Sequence, residues 1–147
     1  MIGAVEIVES LGSLLLERRG GRAARFRRPV IDSRQAGRGD LFFALAGERR
    51  DGHAFVSDAV ERGARGVLVR EAPPALPAGV SVFVVPDTLA ALQRLAAGRR
   101  DRRRAKVIGV TGSVGKTTTK ELIAAVLGSR YPLLRTRRTT TTRSACR

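Results

Sequence analysis

The chain has one cysteine, Cys146, one histidine, His53, one methionine and no tryptophan in 147 residues. A lone cysteine excludes an internal disulfide and fits a reducing compartment, so a cytoplasmic protein is expected. With one histidine and no His/Cys cluster, no metal-ligand set is present. No apolar run approaches the roughly 20 residues a membrane span needs. The first residues, MIGAVEIVESLGSLLLE, carry Glu6, Glu9 and Glu17 and no basic leader, so they are not a secretory signal. Acidic residues are scarce: 13 against 28 basic ones, for a net charge of +15. That excess invites a nucleic-acid reading. Lysine occurs only at Lys106, Lys116 and Lys120, however, so the excess is arginine, a skew that GC-rich codons produce. The basic residues fall in separate segments, and the 4% of aromatics are not interleaved with them. No stacking platform is suggested. A solvated surface is the simpler reading, and no specific nucleic-acid partner is expected.

What is present is concentrated in Val107–Glu121, VIGVTGSVGKTTTKE. A β-rich apolar run (Val107, Ile108, Val110) enters a glycine-bearing turn, which ends in Gly115-Lys116-Thr117 before a helical pattern. This is the layout of a phosphate-binding loop. Glycines let backbone N–H groups approach phosphate oxygens, and a helix N-terminus adds donors and partial positive charge. Lys116 can reach the outer phosphates, and the Thr117 hydroxyl can ligate Mg²⁺. The strict G-x-x-x-x-G-K-[ST] pattern requires glycine where this chain has Val110; Gly109 stands one residue early, and Gly112 lies within the loop.

The remaining pattern alternates. Ala4, Val5, Ile7, Val8 and Leu11 predict a helix over residues 3–11. Phe26–Asp32, Leu41–Gly47, Gly66–Arg70 and Val80–Val85 read as strands. Phe55, Ala59, Val60 and Ala64 mark a helix face, and Asp87 caps a helix whose face is Leu89, Leu92, Leu95 and Ala96. Arg99–Arg104 reads as a charged hinge. Alternation of this kind implies an α/β domain over residues 1–103. The loop then opens a second unit, residues 104–135, with a helix over 116–127 ended by Gly128 and a strand beginning at Tyr131–Leu134. Asp32 and Arg34 could pair with each other, cap a loop or touch a ligand. His53 reads as a turn residue with a satisfied imidazole rather than a catalytic base.

Val107–Glu121 resembles the ATP loop of the Mur ligases, of form T-G-[ST]-x-G-K-[ST]-[ST], in which Val110 is no anomaly. Upstream, DSR (Asp32–Arg34), GDLFFAL (Gly39–Leu45), DGHAFV (Asp51–Val56) and GARGVLV (Gly63–Val69) are similar to that family's N-terminal UDP-binding domain. VPDTLAALQRLA (Val85–Ala96) resembles the helix leading into the ATP domain. The resemblance covers residues 1–135. It implies an α/β fold: a small UDP-substrate-binding domain followed by the start of a P-loop ATPase domain. It implies an ATP-dependent amide ligase of peptidoglycan precursor synthesis. In that reaction ATP phosphorylates a peptide carboxylate, and an amine then attacks the acyl phosphate. The triple threonine followed by Lys120-Glu121 favours joining D-alanyl-D-alanine to UDP-N-acetylmuramoyl-tripeptide. The alternatives are a sister ligase that extends UDP-N-acetylmuramoyl-dipeptide and a non-catalytic basic nucleotide- or nucleic-acid-binding protein.

By the same resemblance, Gly112, Ser113, Val114, Gly115, Lys116, Thr117 and Thr118 bind ATP. Lys116 lies on the β/γ-phosphates as the catalytic cation, and Thr117 near Mg²⁺. Ser33 and Arg34 contact the UDP substrate. A monomer is expected. The family carries further groups beyond this stretch, so the chain is read as a fragment without ligase activity. Residues 136–147 are read as an aberrant basic tail. One choice of codons for Thr136–Arg147, read two bases on, spells EANYNNEIGLP, the kind of segment such ligases carry there. A shifted reading frame is therefore expected from about Arg137, and the DNA of the locus decides it.

Overall fold

A computed structural model of the protein describes residues 1–47, 51–103 and 106–136. The basic tail expected to be out of frame lies outside the described residues. The chain divides into two units between Ala105 and Lys106; each is described by itself.

The first unit is a three-layer α/β sandwich. Its elements in chain order are β1 (Ile2–Gly3), α1 (Ala4–Leu11), β2 (Glu17–Arg19), β3 (Arg25–Phe26), β4 (Pro29–Val30), β5 (Leu41–Phe43), α2 (Val56–Glu61), β6 (Gly66–Val69), β7 (Ser81–Val84) and α3 (Thr88–Arg102). The main sheet has the order β2-β7-β6-β5-β4. Strands β4 to β7 run parallel, and β2 pairs antiparallel with β7 at the edge. A separate two-stranded ribbon joins β1 and β3.

Period-two alternation sends successive side chains to opposite faces. Leu41, Phe43, Leu68 and Phe83 meet α1 and α3 through Ile7, Leu11, Ala91 and Leu95. Phe42, Val67, Val69, Val82 and Val84 meet α2 through Val56 and Ala59. Because both faces are covered, β5 to β7 are near-continuous apolar runs, broken only by Ser81 at the start of β7, as parallel strands are. Phe26 closes the first layer edge-on against Phe83, with centroids 5.9 Å apart at 81°.

Three expectations for this unit are corrected. Phe26–Asp32 is not one strand. It breaks at Arg27–Arg28, whose Nε groups each donate to a different oxygen of fully buried Asp40 at 3.2 Å. That ion pair turns the chain from the ribbon into the main sheet. Leu41–Gly47 is a strand only to Phe43, because Leu45 N–H turns back to the Phe43 carbonyl. The Arg99–Arg104 hinge is, to Arg102, the last turn of α3. Arg99 and Arg102 find carboxylates on α1, so the charge run is a packed helix end.

In the second unit α4 (Lys116–Gly128) forms where the pattern requires it. The expected strands at Val107–Val110 and Tyr131–Leu134 are absent: the described residues 106–115 and 131–136 form no ladder. A strand exists through hydrogen bonds to a neighbour, and none is paired here. No residue of α4 is buried. Leu122 and Val126 are exposed, as are Val107, Ile108 and Leu134.

Candidate functional site

In the second unit Gly115 caps α4 with φ 78° and ψ −3°. This left-handed conformation is cheap only without a Cβ. Gly112, at φ 150°, opens the same loop. Thr119 N–H already bonds the Gly115 carbonyl at 2.9 Å, so the helical ladder begins at once. The first-turn residues Lys116, Thr117 and Thr118 therefore stand at the positive end of a 13-residue helix. Lys116 folds back over the loop. Its Nζ donates to the Gly112 carbonyl and lies 3.5 Å from the Ser113 carbonyl. Ser113 and Val114 form the exposed crown, with Val114 at 90% exposure. Neutral carbonyls thus hold a cation that an anionic phosphate oxygen would bind more strongly. Thr117 offers a hydroxyl on the first turn. The donor set fits a nucleotide phosphate: glycine-lined backbone, helix terminus and one ammonium.

In the first unit a pocket of about 270 Å³ opens beyond the carboxyl ends of β4 and β5. It is lined by Asp32, Ser33 and Arg34 from one loop, Leu45 and Gly52 from another, and Phe55 and Asp58. Ligands of parallel α/β sheets bind at this end of the strands. Asp32 caps the turn Ser33–Gln35, accepting from Arg34 N–H at 3.1 Å. It also receives Arg34 Nε at 3.0 Å and Nη2 at 2.8 Å. Of the sequence alternatives for Asp32 and Arg34, pairing and capping both occur, and both residues still line the pocket. Arg34's hydrogen bonds, side chain first, hold Asp32 down at about 2, while Asp32 raises Arg34 above its ordinary value. Ser33 is buried at 6% exposure. Ser33, and then Arg62, which donates from Nε at 2.8 Å, lower the Asp58 pKa.

The residues read from sequence as substrate contacts, Ser33 and Arg34, line this pocket, and Asp58, Leu45, Gly52 and Phe55 line it without having been read so. The signal for three of them was present, since Gly52, Phe55 and Asp58 stand in or just after the DGHAFV segment. His53 does not line the pocket. Its Nδ1 lies 2.6 Å from Asp51 Oδ1, and its Nε2 accepts Arg70 N–H at 2.8 Å. The imidazole is satisfied at both nitrogens, as expected of a turn residue.

The family model described as Mur ligase family, catalytic domain, matches residues 30–100, and that for the Mur ligase middle domain matches residues 110–146. The UDP-N-acetylmuramoyl-tripeptide–D-alanyl-D-alanine ligase of Synechocystis is 52% identical over 70% of this chain and 23% of its own length. The UDP-N-acetylmuramoyl-L-alanyl-D-glutamate–2,6-diaminopimelate ligase of Chlorobaculum tepidum is 41% identical over 84% of this chain and 25% of its own length. The chain thus spans about a quarter of the length of such relatives. Among solved structures, the UDP-N-acetylmuramoylalanyl-D-glutamyl-2,6-diaminopimelate–D-alanyl-D-alanyl ligase of Acinetobacter baumannii matches 89% of this chain and 29% of its own, at TM-score 0.78 and 35% identity. The MurF ligase of Thermotoga maritima in complex with ADP matches 71% of this chain and 24% of its own, at TM-score 0.62 and 35% identity.

Proposed function

The chain belongs to the Mur ligase family, and from that membership we propose that it is part of an ATP-dependent ligase that joins D-alanyl-D-alanine to UDP-N-acetylmuramoyl-tripeptide. The observation that carries this reading is the loop Gly112–Thr118, with Gly115 left-handed and Lys116 folded over the loop carbonyls. An ADP-bound relative of the same fold supports ATP as the nucleotide. Gly112, Ser113, Val114 and Gly115 present backbone to the phosphates, with Thr118 in the helix's first turn. Lys116 neutralises the outer phosphates, and Thr117 is the Mg²⁺ ligand. ATP supplies the phosphoryl group that turns a carboxylate oxygen into a leaving group. The residues of this chain contribute positioning and charge neutralisation.

In the first unit the pocket takes the UDP end of the substrate. Ser33 and Arg34 are its polar contacts, and Phe55 and Leu45 its apolar walls. This assigns to the 147 residues the binding of two nucleotides and not, on their own, the joining reaction. The protein works in the cytoplasm as a monomer. The sister reaction, extending a UDP-linked dipeptide, remains a second reading because the Chlorobaculum relative is 41% identical over 84% of the chain.

Calorimetric titration with UDP-N-acetylmuramoyl-tripeptide, the dipeptide form, ATP and duplex DNA tests the proposal. Binding of ATP and the tripeptide form is the expected result. Preference for the dipeptide form favours the sister ligase. Tight DNA binding with a steep salt slope, and no nucleotide binding, overturns both.

A further inference from the structure

We infer that His53 is a positioning residue for the pocket of the first unit, a role that rests on reading that pocket as a uridine-nucleotide site. His53 Nε2 accepts Arg70 N–H at 2.8 Å, so that nitrogen carries no proton. The proton then sits on Nδ1, 2.6 Å from Asp51 Oδ1. The same oxygen accepts His53 N–H at 3.0 Å, and Asp51 Oδ2 receives Arg70 Nη2 at 3.1 Å. One neutral imidazole therefore ties the Asp51–Gly52 turn to the residue that follows β6. Both ring nitrogens are engaged, and the ring stays out of the pocket. His53 acts through its neighbours.

What it holds is a pocket wall. Gly52 N–H donates to the Leu45 carbonyl at 2.8 Å, and Asp51 pairs with Ala46 in an antiparallel bridge. The approach at Gly52 is close: a Cβ there would stand 2.7 Å from both N and O of Leu45. The single turn Gly52–Phe55 then sets Phe55 against the pocket. A short turn of this kind has little hydrogen bonding of its own. Its place relative to Ser33 and Asp58 depends on the cross-link to β6. Without the ring, Arg70 N–H loses its acceptor and Asp51 a donor, and a ligand must order Gly52 and Phe55 as it binds.

The test uses the 147-residue chain and UDP as the probe. Nitrogen-15 NMR of the ring is expected to show a neutral Nδ1–H tautomer with Nε2 unprotonated. His53→Phe keeps the ring volume and removes both bonds; it is expected to weaken UDP binding about five- to tenfold, the worth of one or two hydrogen bonds. His53→Gln can span the same groups with its amide, and is expected to bind UDP to within about twofold of the parent. Rescue by glutamine separates the hydrogen-bonded role from ring packing. If His53→Phe does not fold, Asp51→Asn replaces it and should weaken UDP binding in the same direction. An Nε2-protonated ring, or a folded His53→Phe that binds UDP like the parent, overturns the inference alone. A parent chain that does not bind UDP overturns the pocket reading and the role of His53 with it.

Discussion

Arg99 Nη1 donates to both carboxylate oxygens of Glu6, at 3.0 and 3.2 Å, across 93 residues of sequence. Three residues on, Arg102 Nη2 donates to Glu9 at 2.8 Å. The same three-residue step on two helices brings two acids opposite two bases. Both side chains of the first pair are mostly buried, with 24% and 20% of their surface exposed. Glu6→Gln is therefore expected to destabilise the first unit by about 1–2 kcal/mol, while Glu9→Gln, in an exposed pair, costs under about 1 kcal/mol. Urea unfolding followed by circular dichroism compares them. Equal effects would place no special weight on the Glu6–Arg99 pair.

Lys116→Ala is expected to weaken ATP binding by about tenfold or more, the loss of one charge-assisted hydrogen bond to an anion. The first unit contains none of the loop, so its thermal unfolding and its affinity for UDP should not change. ATP affinity equal to the parent's, measured by calorimetry, would remove Lys116 from the nucleotide site.

At Gly52 the expected outcome is steric. A methyl group would meet the Leu45 backbone at 2.7 Å, and backbone yields less readily than a side-chain tip. Gly52→Ala should destabilise the first unit by about 1–3 kcal/mol, as overpacking does, and should weaken UDP binding, since the displaced backbone lines the pocket. A neutral effect on both readouts would mean that the loop from Leu45 relaxes freely.

Three carboxylates at and beside the pocket have depressed pKa values. Asp32 is held at about 2 by Arg34. Asp51 is lowered by the backbone and side chain of His53, and Asp58 by Ser33 and then Arg62. Their folded values lie below the unfolded value of about 3.9. Their contribution to stability is thus complete above that value and is lost as pH falls through the folded one. Asp58→Asn should melt below the parent near about pH 6, by a margin that shrinks toward about pH 3. A margin independent of pH would assign the effect to packing instead of ionisation.

The glycine loop and the helix behind it were legible because their geometry is local. Gly115, Lys116 and the helix behind them are specified by neighbours in sequence, and a left-handed cap needs glycine wherever it occurs. The α/β class and the strands β5 to β7 were legible for a related reason: burial on both faces leaves runs such as Val67, Leu68 and Val69 with no polar position. Other features depended on groups far apart in the chain. Arg27 and Arg28 break a strand because Asp40 lies buried beside them. Arg99 lies in the last turn of a helix and not in a hinge because Glu6 stands opposite. Asp58 and Phe55 join Ser33 in one pocket because parallel strands place their carboxyl ends side by side. A run of apolar residues at Val107–Val110 has strand propensity, but a strand needs a partner to take its hydrogen bonds. Sequence by itself determined which residues could carry phosphate chemistry and which strands of the first unit would be buried. Tertiary structure decided which charges meet and which loops share a pocket, because those energies depend on distance in space and not on spacing along the chain.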